Sequence, residues 1–330
     1  MLDLDRLDRI RLSADPVGQR FVAHVLLEPN YRVPPGVTIE LEHVERVPSG
    51  PVVFAMNHTD RFNYWPFMLK WWRRHHRFMA TWVKGKYYEN PMVGFFMERT
   101  NNIPTVSRGY LITKDFISVL GRRPSDDEYR AVRSWVDAVA KGSELPAPDI
   151  APPEIMRGPR DIRGRRFDPK RESYAQAIDG LFRRMMRRFV DLNEEAAELG
   201  LDLLIFPQGT RSKRLSKGRP GLSQIVMHLD RTVVPVGCNG SDRLYPGSSP
   251  VAKPGRVVYR FGEPIRPADA VAWVERGRFE PFTPEAEREF APQFQAYVDD
   301  VIQRIDPLLD PEYRLGEAGV DDVSGSNRFV

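Results

Sequence analysis

The chain has 330 residues, of which 41% are hydrophobic and 28% are charged, and its formal net charge is +4. This composition excludes global disorder and leaves enough apolar material for a large core. The single cysteine, Cys238, excludes a disulfide framework and a cysteine-based metal cage. Since no run of about 18 apolar residues occurs, no helix is expected to cross a bilayer.

Short apolar runs alternate with longer amphipathic stretches along the chain. Strands are predicted at 37–46, 51–56, 78–83, 103–106, 201–206, 232–237 and 256–261. Helices are predicted at 64–72, with its start near Pro66, and at 91–97, 110–140, 171–199, 221–230 and 284–305. A capping box at Ser125–Glu128 and the terminating Gly200 support two of these helices. The alternation predicts an α/β fold with a single mixed, mostly parallel sheet flanked by helices.

The domain organisation is predicted as three segments. Residues 1–36 form an N-terminal helical segment, 37–262 an α/β domain, and 263–330 a C-terminal helix with a loose tail. Within the α/β domain, a helical insertion rich in proline and arginine is expected at about 110–200, with six prolines making 141–170 irregular. The N-terminus mixes acidic, basic and apolar residues without an apolar core segment, so no secretory signal and a cytoplasmic location are expected.

Two arginine clusters stand out against the modest net charge. Residues 157–171 hold seven Lys or Arg against two Asp, and residues 183–188 read Arg-Arg-Met-Met-Arg-Arg. Such clusters suit anionic partners such as phospholipid headgroups or coenzyme phosphates, but a solvated helix face has the same composition. Nucleic acid is not expected as a partner, because the first cluster lacks the interleaved aromatic residues that stack on bases.

Three short loops, at 57–63, 107–109 and 207–212, follow predicted strands. Sites in open α/β sheets gather at the carboxyl ends of strands, so these loops can converge on one edge of the sheet. The first loop carries His58, which is suited to general-base chemistry when a neighbour fixes its tautomer. By residue type alone, a histidine that merely caps a turn is the simpler interpretation.

The third loop reads Phe206-Pro-Gln-Gly-Thr-Arg-Ser212. Gly209 exposes backbone N–H groups, Thr210 offers a hydroxyl, and Arg211 offers a forked guanidinium. Backbone N–H groups and an arginine fork bind phosphate oxygens. The loop is therefore a candidate anion site.

Taken together, these residues resemble the glycerolipid acyltransferase family, which includes the lysophosphatidic acid acyltransferases. Four family blocks occur in the family's order. They are Asn57-His58…Asn63 for the family's NHxxxxD, Ile103-Pro-Thr-Val-Ser-Arg108-Gly109, Phe206–Ser212 for FPEGTRS, and Val233-Val-Pro-Val236. Lys84 and Lys86 also match the stretch between the first two blocks. The resemblance covers about 37–262, apart from 110–200.

The resemblance implies an acyl transfer in a glycerol-3-phosphate acyltransferase-like fold. His58 would take the proton of an acceptor hydroxyl, whose oxygen would attack an acyl thioester of coenzyme A or acyl carrier protein. Arg211, Thr210 and Gly209 would hold the acceptor phosphate. Arg108 would assist them. The thioester is a co-substrate, and the resemblance implies no metal and no other cofactor.

The sequence departs from the family pattern at two positions. Asn63 stands where the family has aspartate, and Gln208 where it has glutamate, so the site is up to two charge units more positive. Asparagine can accept a hydrogen bond from an imidazole N–H but cannot stabilise an imidazolium by charge. In the serine-protease triad, the same replacement lowers the rate by about 10⁴.

Two explanations of these departures remain open. Asp60, two residues after His58, can take over the carboxylate role, or the protein can be a catalytically impaired member that binds lipid or acyl carrier protein. Gln208 is expected to change the choice of acceptor, favouring a more anionic one.

A membrane phospholipid surface is the remaining predicted partner, with the protein peripheral on the inner face of the cell membrane. The aromatic residues expected to enter the interface are Tyr64, Trp65, Phe67, Trp71 and Trp72, beside Arg73 and Arg74. A second basic helix at 181–190 has apolar flanks. The alternative is that Trp65, Phe67 and Trp71 are ordinary core residues. The sequence does not define the oligomeric state.

Overall fold

A computed structural model describes residues 1–316 together with Ser326 and Phe329. The loose tail predicted for the last dozen residues therefore lies outside the described residues, except at those two positions.

Seven of the nine described strands form one sheet. The strands are β1 Val37–Glu42, β2 Val53–Met56, β3 Met79–Lys84, β4 Asn102–Thr105, β5 Arg160–Ile162, β6 Arg165–Phe167, β7 Asp202–Ile205, β8 Val233–Asn239 and β9 Gly255–Phe261. The sheet order is β1-β9-β8-β2-β7-β3-β4, and β8–β9 is its antiparallel pair. The hairpin β5–β6 stands apart. The predicted α/β class with a mixed, mostly parallel sheet is confirmed.

Twelve described α-helices surround the sheet. They are α1 Leu4–Arg9, α2 Val17–Val22, α3 Glu28–Arg32, α4 Tyr64–His75, α5 Pro91–Arg99, α6 Arg108–Leu120, α7 Asp126–Ala140, α8 Pro153–Arg157, α9 Tyr174–Glu198, α10 Gly221–Leu229, α11 Ser241–Leu244 and α12 Pro284–Ile305. Within the described part of the chain, none of these helices has the length and apolar character needed to span a bilayer.

The side chains of each central strand alternate between two cores, as the pleat of a strand requires. In β2, Val53 and Ala55 join the larger core, whereas Phe54 and Met56 join the smaller one. Helices α6, α7, α9, α10 and α12 cover the larger core, and α4 with residues 17–32 covers the smaller one. The result is three layers, with both faces of the sheet buried.

The predicted insertion contributes three of the five helices that cover the larger core, α6, α7 and α9. A single helix was expected at 110–140, but Gly121 adopts φ +66 and ends α6, and the Ser125 capping box then starts α7. Helix α9 buries Leu181, Met185 and Phe189 in the larger core. The stretch at 141–170 was expected to be irregular, yet it holds α8 and the β5–β6 hairpin.

The arginines of 157–171 make ion pairs within the chain. These pairs are Arg160 with Asp115 at 2.5 Å, Arg163 with Glu89 at 2.9 Å, and Arg165 with Glu172 at 2.6 Å. Carboxylates of the same chain therefore neutralise several of the cluster's arginines. This favours a structural role for these arginines over the binding of an anionic partner.

The two helices expected to enter a membrane interface turn their apolar residues inward. Phe67 and Trp71 of α4 are fully buried, as are Leu181 and Met185 of α9. Of the two interpretations, the one that makes them ordinary core residues is therefore confirmed for Phe67 and Trp71, whereas Trp65 is only partly buried.

A buried carboxylate connects α4 to the sheet. Asp202, at the start of β7, accepts hydrogen bonds from the Val52 backbone N–H and the Trp71 indole N–H, both at 2.9 Å, and forms an ion pair with Arg77. Burial raises the pKa of Asp202, and Arg77 opposes that rise. Three donors thus depend on one side chain.

We expect Asp202→Ala to lower the free energy of unfolding by about 3 kcal/mol, because it leaves a cation and two N–H groups unpaired in or near the core. Urea denaturation followed by circular dichroism measures this change. The matched control is Asp127→Ala, which removes the exposed ion pair with Arg130 and should change stability by no more than about 1 kcal/mol. Equal effects of the two variants would contradict the assigned role of Asp202.

Candidate active site

The parallel strands β8, β2, β7 and β3 are neighbours in the sheet, so their carboxyl ends lie along one edge. His58 follows β2, Phe206 follows β7, and Lys84 is the last residue of β3. All three predicted loops, 57–63, 107–109 and 207–212, therefore lie at this edge, since β4, which precedes 107–109, runs parallel beside β3.

The 57–63 and 207–212 loops are held against each other at His58. Its imidazole stacks on the Phe206 ring, with centroids 3.9 Å apart and planes inclined by 16°. The Ser212 backbone N–H donates to the His58 carbonyl at 2.9 Å. These contacts fix both the backbone and the ring plane of the candidate base.

A buried asparagine fixes the tautomer of His58. Asn63 Oδ1 lies 3.0 Å from His58 Nδ1, and Asn63 Nδ2 donates to the Asn57 carbonyl at 2.9 Å. The Tyr259 hydroxyl donates to the Asn63 carbonyl at 2.6 Å. Because the amide oxygen faces the ring, Nδ1 carries the proton, and Nε2 keeps the lone pair that a general base requires.

Asp60 does not take over the role of Asn63. Its Oδ2 accepts a hydrogen bond from the Thr59 hydroxyl and its Oδ1 accepts one from the Phe62 N–H, both at 2.9 Å. Burial raises the pKa of this carboxyl. The hypothesis of Asp60 as a substitute acid is therefore wrong for this geometry: a residue two positions on folds back on its own turn, whereas Asn63, five positions on, reaches the ring.

His58 is a neutral base over a wide pH range. Burial, together with smaller contributions from the positive charges of Arg211 and Lys84, lowers its pKa to about 3, even though the Asn63 hydrogen bond acts in the opposite direction. The structure thus holds the unprotonated imidazole ready at neutral pH.

His58 and Arg211 line one cleft with a volume of about 610 Å³. Much of its wall is apolar and includes Trp65, Trp82, Val83, Phe96, Met97 and Phe206. The candidate base, His58, and the residue expected to bind phosphate, Arg211, therefore share a cavity large enough for a substrate with a hydrocarbon part.

The charged residues that line the cleft are all cationic. Among the described residues, the lining contains no carboxylate, and its cations are Arg61, Lys84, Lys86 and Arg211. Burial lowers the pKa of Lys86, and the neighbouring Arg211 and Arg61 lower it further. Arg61 and the two lysines were not predicted as site residues, although Lys84 directly follows a buried strand run and Arg61 lies within the histidine loop.

The FPQGTRS loop presents its residues in different ways. Gly209 lines the cleft with φ +68, Arg211 also lines it, and the half-exposed Thr210 lies between them in the turn. Gln208 is buried beneath the loop instead. Its Oε1 accepts from the His58 N–H at 3.1 Å, and its Nε2 donates to the Arg214 carbonyl at 3.3 Å and the Ser216 hydroxyl at 3.1 Å.

The predicted effect of Gln208 on acceptor choice stays a prediction, and it can act only through the charge that the amide lacks. This side chain supports the loop and the His58 backbone, and it does not contribute to the cleft wall.

Arg108 is also placed differently from the prediction. It begins α6, and its guanidinium bonds Asp179 of α9 at 2.6 and 2.8 Å, lies 3.7 Å from Asp137, and stacks over the Phe182 ring. The guanidinium that was expected to assist phosphate binding is thus paired with two carboxylates. Arg108 joins α6, α7 and α9 rather than lining the cleft.

No protein-family model matches the sequence, and no curated protein matches it. Among solved structures, the crystal structure of the 1-acyl-sn-glycerophosphate (LPA) acyltransferase PlsC from Thermotoga maritima matches with a TM-score of 0.38 and 14% identity. The match covers 91% of this chain and 77% of that chain.

Replacing Asn63 by aspartate should raise the pKa of His58, because a carboxylate stabilises the imidazolium by charge. NMR titration of the His58 ring measures the shift, with His58→Gln identifying its signal among the six histidines. The control is Asp60→Asn, which should leave the pKa nearly unchanged. A larger shift in the control than in Asn63→Asp would show that Asp60 is the charge that His58 senses.

Replacing Gln208 by glutamate should destabilise the protein by about 1–3 kcal/mol, because a carboxylate cannot donate to the Arg214 carbonyl. Thermal or urea unfolding measures this loss. The matched control is Gln176→Glu in the exposed capping box of α9, where glutamate bonds equally well and the change should stay within about 0.5 kcal/mol. Changed acceptor preference at unchanged stability would instead restore a direct role in substrate choice.

Proposed function

We propose that the chain transfers a fatty acyl group from an acyl thioester, of coenzyme A or acyl carrier protein, to the hydroxyl of a lysophospholipid or related glycerolipid acceptor. The observation that supports this most is the shared cleft, in which a neutral His58 and the guanidinium of Arg211 adjoin apolar walls. The order of the sequence blocks supports the same proposal.

The cleft suits an amphiphilic anion. Its aromatic and aliphatic walls can bury an acyl chain, and its cations can pair with phosphate oxygens. Arg211 supplies the planar fork that binds two such oxygens, and Gly209 allows the backbone to approach them. Because no carboxylate is among the described lining residues, an anionic group entering the cleft meets no lining residue of like charge.

The proposed reaction uses His58 as a general base. Nε2 takes the proton of the acceptor hydroxyl while the oxygen attacks the thioester carbonyl carbon. The tetrahedral intermediate collapses, the carbon–sulfur bond breaks, and the departing sulfur takes the proton from His58. Asn63 keeps the ring oriented throughout by accepting the Nδ1–H bond.

The substrate can supply the negative charge that Asn63 lacks. Arg211 and Lys84 lower the pKa of His58 in the free protein. Phosphate oxygens bound beside these cations would offset their charge and make the imidazole a stronger base. The base would thus gain strength when a phosphate-bearing substrate is in place.

We expect His58→Ala to lower acyl transfer by at least about 10²-fold, the usual contribution of a general base. Transfer is measured as the labelled product formed from labelled acyl-coenzyme A, or labelled acyl-acyl carrier protein, and each of a panel of lysolipid acceptors. The kcat/KM of the unaltered protein should not fall as the pH drops through 6.5, where an ordinary histidine titrates, since kcat/KM reports the free protein, in which the pKa of His58 is about 3. Acyl-thioester binding without turnover by any acceptor would favour the catalytically impaired lipid- or carrier-binding protein.

Arg211→Ala should raise the KM for acceptors that carry a phosphate by at least about tenfold, the effect of one lost charged hydrogen bond. The KM for an uncharged acceptor should change less. Lys217→Ala is the matched control, because Lys217 is an exposed cation that follows in the same loop and does not line the cleft. An equal effect of both variants on KM would contradict phosphate binding by Arg211.

A further inference from the structure

One arginine of the cleft wall has no role in the reaction described so far. Arg61 lies in the histidine loop and lines the same cavity as His58. Its Nε atom is buried and donates no hydrogen bond, and its guanidinium pairs with no carboxylate among the described residues. Buried donors in native proteins almost always have a hydrogen-bond acceptor. An enclosed arginine nitrogen without one therefore points to an acceptor that comes from outside the chain.

Other enclosed arginines of this protein are paired within the chain. Arg163, for example, bonds Glu89 at 2.9 Å. Arg61 and Arg211 differ because they face the cleft, whose described lining residues include no carboxylate. The fold thus neutralises an arginine that joins its elements and leaves the two cleft arginines available to an anionic ligand.

A tight turn sets the direction of the Arg61 side chain. Asp60 Oδ1 accepts a hydrogen bond from the Phe62 N–H at 2.9 Å, and this bond fixes the backbone on both sides of Arg61. Asp60 and Phe62 are buried, whereas Arg61 is half-buried in the wall of the cleft. Arg61 is therefore held in place on the loop that also carries the candidate base.

Arg61 and Arg211 reach the cleft from neighbouring strands. Strand β7, which precedes Arg211, lies between β2, which precedes Arg61, and β3, which ends at Lys84. The cations that lower the pKa of His58 are Arg211 and Lys84, whereas Arg61 acts together with Arg211 on the pKa of Lys86. One group of cations thus adjoins the imidazole, and Arg61 extends the positive charge to another side of the Arg211 loop.

The positive charge of the cleft exceeds what one phosphate group can neutralise. A phosphomonoester carries about two negative charges near neutral pH. Four cations line the cleft, and its described lining residues include no carboxylate. A phosphate bound by Arg211 and Lys84 would leave the charges of Arg61 and Lys86 unbalanced. A second anionic group in the cleft would balance them.

We propose that Arg61 anchors a second phosphate group in the cleft, distinct from the phosphate assigned to Arg211. The identity of its bearer rests on the proposed function, which brings two phosphate-containing substrates into one cavity. Coenzyme A and acyl carrier protein both carry phosphate at the far end of the pantetheine arm, and a lysophospholipid with two phosphate groups carries a second one in its headgroup. Either source offers oxygens to the planar fork of Arg61.

Two matched probes test for the second subsite without turnover. Hexyl phosphate carries one phosphate group, and hexanediol bisphosphate carries one at each end of the same chain. Neighbouring strands lie about 4.8 Å apart, a span that this flexible chain covers. In isothermal titration calorimetry the bisphosphate should bind at least about tenfold more tightly than the monophosphate, the effect of one added charged hydrogen bond.

Arg61→Gln should remove this preference for the bisphosphate and leave the affinity for hexyl phosphate nearly unchanged. Arg211→Gln should weaken the binding of both probes. The matched control is Arg74→Gln, which removes an equal charge from an exposed position of α4 that does not line the cleft. The control should keep the full preference.

Steady-state kinetics of Arg61→Gln identifies the source of the phosphate. For a donor phosphate, the KM should rise at least about tenfold for acyl-coenzyme A or acyl-acyl carrier protein, but not for an acyl thioester of N-acetylcysteamine, which has no phosphate. For an acceptor phosphate, the KM should rise for a lysophospholipid with two phosphate groups but not for lysophosphatidate. Either result supports the second subsite.

Four results would overturn the proposal. They are equal affinities of the unaltered protein for the two probes, a preference for the bisphosphate that persists in Arg61→Gln, its equal loss in Arg74→Gln, and unchanged KM values for every substrate of an active Arg61→Gln variant. Preference for the bisphosphate that depends on Arg61, with no acyl transfer from any donor to any acceptor, would instead contradict the proposed function alone.

Discussion

The candidate site depends on one hydrogen-bonded amide. Asn63 is fully buried, and its oxygen faces His58 while its nitrogen donates to the Asn57 carbonyl. Asn57 in turn bonds the backbone of Cys238 in both directions, at 2.7 and 3.0 Å, and so joins β2 to β8. A carboxylate at position 63 could hold the imidazole but could not donate to the carbonyl. The amide therefore supplies both the hydrogen-bond acceptor for the imidazole and the donor for the Asn57 carbonyl at the end of β2.

The same reasoning explains the second departure from the family pattern. Gln208 accepts from the backbone of His58 and donates to the Arg214 carbonyl and Ser216. Both amides match donors and acceptors that a carboxylate would leave unpaired. Both side chains are neutral, so neither offsets the four cations that line the cleft, whose described lining residues include no carboxylate. These cations favour anions in the cleft, and Arg211 and Lys84 also add to the lowering of the His58 pKa that burial chiefly causes.

Sequence patterns predicted the sheet, its mostly parallel order and the meeting of His58 with Arg211, because buried strands and strand-end loops depend on local sequence. The direction of individual side chains was less predictable. Arg108 lies in a matching block, yet Asp179, 71 residues away, determines where it points. Asp60 is the carboxylate nearest to His58 in sequence, but its side chain bonds Thr59 and Phe62 of its own turn. The composition of the aromatic run of α4 suits both a membrane interface and a core. Only the packing of Phe67 and Trp71 in the structure distinguishes these two interpretations.

The placement of α9 bears on how small a working version of this protein can be. Its 25 residues pack against β4, β6 and β7 as well as α6, α7 and α10, and Trp82 of β3 donates to its Asn193 at 2.8 Å. Excising 110–200 would uncover the face of the central strands whose ends carry the 57–63 and 207–212 loops. The predicted insertion is therefore part of the core, and a shortened chain would need a replacement for α9 to keep these strands buried.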